Sequence, residues 1–240
     1  MLNELFSSET LQEAWEIIQT QIPLAVWETL YVTVLSTVFA IILGLPLGVI
    51  LVAGEKNGIL PLPSWLMKAI NGIINLLRSV PFLILMILVF PLTRWIVGTV
   101  VGTTASIVPL VIAAFPFVAR LAEGSLREVN PNTIEMAQSM GASPFQIIIK
   151  VLIPESIPSL ISNATIAITT ILGYSAMSGI IGGGGLGKIA INYGYYRYKY
   201  LIMLVAVILL IVLVQIFQSV GTHLSVTSDK RLKNKSKTKT

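Results

Sequence analysis

Residues 24–53 read LAVWETLYVTVLSTVFAIILGLPLGVILVA and contain a single charged side chain, Glu28. A helix needs about 20 mostly apolar residues to cross a hydrocarbon layer of about 30 Å, so this stretch can span a membrane. Pro23 precedes it and suits the first turn of a helix. The stretch therefore predicts a membrane-spanning helix near the start of the chain.

The composition of the whole chain points in the same direction. The 240 residues are 55% hydrophobic and 11% charged, with a mean hydropathy of +0.85. A soluble domain carries about 25% charged residues. The absence of cysteine excludes disulfides and thiolate metal sites, and the single histidine, His223, has no ligand partners nearby in the sequence. We predict an all-α integral membrane protein without a metal site.

Four further segments are apolar enough to cross a membrane, which gives five predicted spans. The five are residues 24–53, 69–92, 105–119, 157–181 and 200–220. Pro91, Thr93 and Arg94 are the best turn signal between the second and the third. In residues 8–22, Thr10 and Glu13 have capping-box spacing and the apolar residues follow helical periodicity. Residues 1–23 are therefore predicted to hold a short amphipathic helix at the membrane interface.

The distribution of Lys and Arg predicts the orientation in the membrane. Six of the sixteen cations lie in residues 221–240, namely Lys230, Arg231, Lys233, Lys235, Lys237 and Lys239. Residues 1–23 contain four glutamates and no cation. Because cytoplasmic segments carry the excess of Lys and Arg, we expect the C-terminal tail in the cytoplasm, against anionic lipid, and residues 1–23 outside. The tail is interpreted as a lipid anchor, with nucleic-acid binding a remote alternative.

Residues 182–189, GGGGLGKI, approach the phosphate-binding pattern G-x-x-x-x-G-K-[ST] but place Ile189 where a hydroxyl should coordinate magnesium. The pattern also requires a preceding strand, whereas this stretch follows a predicted membrane helix. It falls on the outer side in the predicted orientation. We therefore interpret it as a tight turn with close helix packing and expect no nucleotide site in this chain.

The longest polar segment, residues 120–156, lies between the third and fourth spans. Within it, Thr133–Gly141 suits a short helix. One face of that helix would hold Ile134, Ala137, Gln138 and Gly141. Gly141 could end it in a left-handed cap, and Ser143-Pro144 could begin the next helix. On periodicity alone, an interfacial loop that only joins two spans is an equal alternative.

The spacing of this segment resembles the EAA loop of ATP-binding-cassette importer permeases: E-A-A, three residues, G, nine residues, I-x-L-P. Glu135, Ala137, Gly141 and Pro154 match, whereas Met136, Val151 and Ile153 replace similar residues. In that family the loop forms a coupling helix that lies in a groove of a cytoplasmic ATPase. The resemblance implies that this chain meets an ATPase through Glu135, Met136, Ala137, Gly141 and Pro154.

Other stretches resemble the methionine-uptake branch of these permeases. They are VWETLYVTVLST from Val26, GLPLGVILV, NLLRSVPFLIL and GYSAMSGIIGGGGLGKIAINYGYYRY at 173–198, and the resemblance covers about Val26 to Leu224. It implies the type I importer permease fold, with five spans and a cytoplasmic coupling helix. It also implies two copies of this chain, two ATPase subunits that bind the ATP, and a substrate-binding protein, often a lipoprotein, that delivers methionine. The chain itself is then expected to be neither an enzyme nor a cofactor-binding protein.

The fourth span contains a polar interruption that could line a pathway. Tyr174, Ser175 and Met177 are the candidates for a gate, whereas Gly173, Ala176 and Gly179 favour tight packing.

Other polar residues in the spans have separate interpretations. Arg78, about nine residues into the second span, fits either a pathway residue or a structural ion pair. Asn71, Asn75 and Asn163 are expected to form hydrogen bonds between helices. Glu28 is expected only to reach the interface.

Two other functions stay open at this point. One is an importer permease for another amino acid. The other is a stand-alone secondary transporter, which the thin charge inventory and the lack of an internal repeat disfavour.

Overall fold

The structure is a computed structural model that describes the backbone of residues 8–229 and, residues 8–11 and 13 excepted, their side chains. The six tail cations and residues 1–7 lie outside the described part. The helices are α1 (Ser8–Thr20), α2 (Ile22–Ala53), α3 (Ser64–Ser79), α4 (Phe82–Leu88), α5 (Phe90–Val97), α6 (Ile107–Arg127), α7 (Pro131–Ser139), α8 (Pro144–Ile147), α9 (Ile153–Ser178), α10 (Gly185–Ile189) and α11 (Tyr200–Ser228). Single π-helical turns occupy Ile148–Leu152 and Ala190–Tyr195, and a 3₁₀ turn occupies Gly179–Ile181.

Within residues 8–229, four helical segments are long and apolar enough to cross a membrane: α2, α6, the run Pro144–Ile181 that contains α9, and α11. The pair α3 and α4 gives a fifth span if it is counted as one, although the chain bends by 109° between them. The structure therefore agrees with an all-helical membrane protein of five spans. The described residues contain no strand.

The second predicted span, residues 69–92, was wrong as a single straight helix. Val80 is extended, with φ −82° and ψ 128°, and ends α3 directly before Pro81. A residue that precedes proline is disfavoured in the helical conformation, and proline has no N–H to continue the helix. The bend therefore has a local cause that is visible in the sequence.

The turn predicted at Pro91, Thr93 and Arg94 was also wrong. These residues lie inside α5, where Pro91 occupies the first turn, a position that proline tolerates. The chain turns instead at Gly98, which has a left-handed φ of 83° and follows the last residue of α5. Glycine adopts this conformation without a steric penalty.

Three predicted spans end elsewhere in the structure. The helix of the third span continues past its predicted end at residue 119 and stops at Arg127. Glu123 pairs with Arg120 and Arg127, three residues before and four residues after it, and these pairs stabilise the charged end of the helix. The helical run of the fourth span begins at Pro144, upstream of residue 157, and the helix of the fifth continues from residue 220 to Ser228. The predicted cytoplasmic loop, residues 120–156, is therefore largely helical.

The chain divides into two compact units. One unit contains the described residues up to Val38 together with Pro81–Ala113 and Ile168–Ile216. Its fully buried side chains include Leu85, Leu110, Ile171, Leu186 and Ile202.

The other unit contains Phe39–Val80, Ala114–Ala167 and the described residues from Phe217 onward. Its apolar core includes a cluster built on Leu51, Ile74 and Ala119 and another built on Leu126, Val129 and Leu152.

Candidate functional site

Helix α7 is capped at both ends by residues that flank it in the sequence. Asn130 is the N-cap, and its side chain accepts a hydrogen bond from the Asn132 amide at 3.0 Å. At the other end the amides of Gly141 and Ala142 donate to the carbonyls of Gln138 and Ala137, at 2.9 and 3.1 Å. This is the Schellman pattern, with Gly141 at φ 79°. The predicted left-handed cap at Gly141 is confirmed, although the helix covers Pro131–Ser139 and not Thr133–Gly141.

The next helix also begins as predicted. Ser143 accepts from the Gln146 amide while the Gln146 side chain accepts from the Ser143 amide, which completes a capping box, and Pro144 occupies the first turn. The C-cap of α7, Met140, and the N-cap of the next helix, Ser143, are three residues apart. Helix α7 is therefore a separate helix between the third and fourth spans. The segment is therefore helical, while the choice between a coupling helix and an interfacial connection stays open at this point.

The two sides of α7 differ in exposure. Ile134 and Ala137 are half-buried, and Ile134 packs against the cluster of Leu126, Val129 and Leu152. On the other side Met136 is 65% exposed and Met140 is 85% exposed. The exposed face lines a shallow groove with Asn132, Glu135 and Ser139. An exposed apolar patch of this kind marks a surface that contacts a protein or a membrane.

This exposed face differs in part from the face predicted by periodicity. Glu135 and Met136 lie on it, whereas Ala137 faces its own chain in part and Gly141 is exposed at the helix end. Pro154 is in α9, away from this face, and lines a polar cavity of about 410 Å³ with Glu128 and Ser156. Sequence reasoning missed Met140 and Phe145, which is 71% exposed. Large apolar residues within a polar segment were the available signal.

The predicted gate residues occupy different environments. Tyr174 stacks on Phe82, with ring centroids 4.6 Å apart and planes within 4°. Ser175 is buried, donates to the Leu172 carbonyl and lies 3.5 Å from the Thr33 hydroxyl of α2. Met177 is 46% exposed. Of the three, only Met177 presents an open surface within this chain, and Ser175 is an interhelical packing residue here.

The small residues predicted to pack do so at two of three positions. A Cβ at Gly179 would lie 2.5 Å from the Lys188 amide nitrogen, and Ala176 is in direct contact with Gly187. A Cβ at Gly173 would meet nothing within 4 Å, so Gly173 and Met177 share the open face of α9. Close packing therefore holds the end of α9 against α10, and not its middle.

Arg78 lies in the last turn of α3, two residues before the extended Val80, and its side chain is exposed. Within the described part of the chain it has no ion pair, so the structural ion pair that was one of its two interpretations is not seen. Its role in a pathway stays a prediction. Asn163 does join helices as expected, since its amide donates to Ser125 Oγ at 2.7 Å and to the Leu121 carbonyl at 3.1 Å.

Glu28 has a larger role than the sequence suggested. Its carboxylate accepts from Thr103 Oγ1 at 2.8 Å and from the Gly185 amide at 2.7 Å, and Thr29 Oγ1 accepts from the Leu186 amide at 2.8 Å. The first two amides of α10, those of Gly185 and Leu186, therefore already donate to Glu28 and Thr29. A phosphate bound by this stretch would need the same amides as donors. The glycine-rich stretch is thus held by hydrogen bonds within the chain itself, and the absence of a nucleotide site stays a prediction.

The described residues contain no group of three or more His, Asp or Glu side chains able to hold a metal ion. The geometry defines a helical, membrane-type fold in which α7 is a separate, capped helix with an exposed apolar face.

Comparison with known proteins identifies the class of this subunit. A family model described as binding-protein-dependent transport system inner membrane component matches residues 40–225. The chain belongs to this family of transport permeases, which is consistent with a multi-pass protein of the inner membrane.

The similar curated proteins are narrower in description. The probable D-methionine transport system permease protein MetI of Vibrio cholerae is 51% identical over 208 residues, 86% of this chain and 92% of the relative. The D-methionine transport system permease protein MetI of Escherichia coli K12 is 46% identical over 154 residues, 64% of this chain and 70% of the relative.

Solved structures give the same result for the fold. Two inward-facing forms of the MetNI methionine ABC transporter match with TM-scores of 0.85 and 0.87 at 40% and 41% identity. They cover 94% and 90% of this chain, and 100% and 99% of theirs. An amino acid ABC transporter with histidines matches at a TM-score of 0.70 and 19% identity, which supports the fold alone. The type I importer permease fold is therefore confirmed.

Proposed function

We propose that this chain is the membrane-spanning subunit of an ATP-driven methionine importer. The observation that carries the proposal is α7, a capped helix with an exposed apolar face at the position of the EAA loop. The chain is also 51% identical, over 86% of its length, to a relative described as a D-methionine permease. Alternating access of the permease would be driven through α7 by a separate ATPase.

The subunits implied are two copies of this chain, two ATPase subunits and a substrate-binding protein. ATP binds to the ATPase, so the permease acts on methionine by conformational change and catalyses no chemical step. Met136 and Met140 suit contact with a partner groove because their side chains are flexible and polarizable and adapt to the surface they meet. Glu135 lies on the same exposed face and adds a charge to it.

The orientation follows from the cations. With α7 in the cytoplasm, Arg120, Arg127 and Lys150 lie on the inner side together with the C-terminal tail, and Lys188 and Arg197 lie outside. This distribution satisfies the positive-inside rule, whereas the reversed orientation would oppose it. The glycine-rich stretch held by Glu28 then faces the substrate-binding protein.

The test is uptake of radiolabelled L- and D-methionine by cells that lack this gene and every other methionine importer. Cells are complemented with the wild-type chain, with Gly141→Glu or with Gly98→Glu. We expect the wild-type chain to restore uptake, and Gly141→Glu to lower it at least about tenfold by placing a charge and a strained residue beside the coupling face.

Gly98→Glu is the matched control. Gly98 has a φ of 83° against 79° for Gly141, and a Cβ at either position meets nothing within 4 Å. Equal loss in both variants would assign the effect to backbone strain and not to coupling. Failure of the wild-type chain to restore uptake of either enantiomer would refute methionine as the substrate.

A further inference from the structure

Arg120 holds two helices of one unit together through a single guanidinium group. Its Nη1 donates to Glu123 Oε2 at 2.7 Å, and its Nη2 donates to Asn71 Oδ1 at 2.7 Å and to Asn75 Oδ1 at 3.0 Å. Asn71 and Asn75 are one turn apart on the same face of α3. The single Nη2 atom of Arg120 on α6 therefore binds this face at two points. The expected helix-to-helix hydrogen bonds of both asparagines are confirmed, with Arg120 as the partner.

The second arginine of α6 continues this set of contacts. Arg127 donates to Glu123 Oε1 from Nη2 at 2.7 Å and from Nε at 3.2 Å. It also donates to both carboxylate oxygens of Glu55, at 2.6 and 3.2 Å. Glu123 thus accepts from one arginine on each of its oxygens. We name this chain of six residues the polar brace: Asn71, Asn75, Arg120, Glu123, Arg127 and Glu55.

The two halves of the polar brace differ in exposure. The side chains of Arg120 and Glu123 are 20% and 13% exposed, whereas those of Arg127 and Glu55 are 45% and 48% exposed. Charge-assisted hydrogen bonds that are shielded from water are screened less by salt and hold their geometry better than exposed pairs. The Arg120–Glu123 pair within α6 is therefore the better shielded of the two ion pairs, and of the two hydrogen bonds from Arg120 to α3 the one to Asn71 is half-buried and the one to Asn75 exposed.

The polar brace adjoins α7 along the chain and through the core. Arg127 is the last residue of α6, and the N-cap Asn130 follows three residues later. Leu126, directly before Arg127, and Val129, directly before Asn130, are buried in the cluster against which Ile134 of α7 packs. Because packed apolar cores move nearly as rigid bodies, a displacement of α7 carries the end of α6 with it.

We propose that Arg120 is a positioning residue that passes the displacement of α7 from α6 to α3, and that Arg127 does the same for the segment after α2. The inference rests on the proposed function, in which an ATPase moves α7. A guanidinium group serves this purpose because its donors are fixed in one plane and can hold three acceptors in a set geometry. A lysine at position 120 would keep the charge but lose the simultaneous grip on Glu123 and both asparagines.

The competing explanation is that these contacts only stabilise the fold. Loss of stability would lower the amount of active transporter, and so would lower ATP hydrolysis and uptake in the same proportion. Loss of transmission would leave ATP hydrolysis near the wild-type rate while uptake falls. The ratio of ATP hydrolysed to methionine transported separates the two and does not depend on the amount of protein.

The experiment reconstitutes the complete transporter, with its ATPase and binding protein, in liposomes and measures this ratio. The variants are Arg120→Lys, the double variant Asn71→Leu with Asn75→Leu, and Asn71→Asp, which keeps an acceptor for Arg120. The matched control is Lys68→Gln, on the same helix, because the Lys68 side chain is exposed and has no hydrogen bond or ion pair within the described residues.

We expect the ratio to rise about threefold or more in Arg120→Lys and in the double asparagine variant, and to stay within about 1.5-fold of wild type in Asn71→Asp and Lys68→Gln. An unchanged ratio in both disruptive variants would overturn the inference, as would an equal rise in Lys68→Gln. If Arg120→Lys does not assemble, the asparagine variants decide the question. A wild-type transporter that hydrolyses ATP but takes up no methionine would contradict the proposed function itself, which is a separate result.

Discussion

Replacement of Gly48 by alanine tests the contact between the first and third spans. An alanine Cβ at position 48 would lie 2.7 Å from Ala122 Cβ, 2.9 Å from the Ala119 carbonyl oxygen and 3.1 Å from the Glu123 amide nitrogen. Gly44, one turn earlier, is as close to the same helix: a Cβ at position 44 would lie 2.8 Å from both the Phe115 carbonyl oxygen and Val118 Cβ. Gly44 and Gly48 thus form a G-x-x-x-G pair, and the structure shows the close helix packing that is typical of this pattern.

The magnitude follows from which atoms would have to move. The neighbours of position 48 are backbone atoms and a Cβ, none of which can rotate away. Carbon atoms pack at about 3.5–4.0 Å, so α2 and α6 would have to separate by roughly 1 Å. Overpacking of this kind costs about 1–3 kcal/mol, and the higher helix propensity of alanine offsets about 0.5–1 kcal/mol of it. We expect a net loss of roughly 0.5–2 kcal/mol.

The assay is thermal unfolding of the detergent-purified chain, followed by the loss of its monodisperse size-exclusion peak. Gly72→Ala is the matched control, because a Cβ at this helical position would meet nothing within 4 Å. We expect the free energy of unfolding of the control to rise by up to about 1 kcal/mol. At about 2–4 °C per kcal/mol, the Tm of Gly72→Ala should then lie above that of wild type and the Tm of Gly48→Ala below it, several degrees apart. A Gly48→Ala protein as stable as Gly72→Ala would refute the packing argument.

Three other predictions concern the candidate site and the orientation. Hydrogen bonds from Arg127 hold the pKa of Glu55 below its usual 4.5, so this pair stabilises the fold at neutral pH and loses its effect as the pH falls through the lowered pKa. A Glu55→Gln protein should therefore melt about 1–4 °C below wild type at pH 7, with the gap closing towards pH 4, and a gap that does not change with pH would contradict the ion pair. In this cysteine-free chain, Met136→Cys should crosslink to a cysteine in the ATPase groove more readily than the half-buried Ala137→Cys, and no crosslink from either would remove α7 as the contact. A cysteine at the exposed Lys188 should react with a membrane-impermeant maleimide in intact cells, and Met136→Cys only after lysis; the opposite result would reverse the orientation.

The sequence by itself determined the features that depend on neighbouring residues. Apolar length marked the membrane-crossing segments, since a hydrocarbon layer accepts only helices that satisfy their own backbone. The cap at Gly141 and the capping box at Ser143 were predictable because each involves residues three to five positions apart. Pro81 belongs in the same category, although the prediction overlooked it: the restriction it places on Val80 ends α3.

The tertiary structure decided the contacts between residues that are distant in the chain. Glu28 accepts from the Gly185 amide across 157 positions, and Arg120 donates to Asn71 across 49. It also decided which side of α7 is exposed, since Ile134 turns inward only because Leu126, Val129 and Leu152 form a cluster there. A polar side chain in a membrane helix must find a partner, and its sequence neighbours do not specify which one, because several helices of the bundle could supply it. The choice among them is made by the packing of the helices, which fixes the distances within which a hydrogen bond can form.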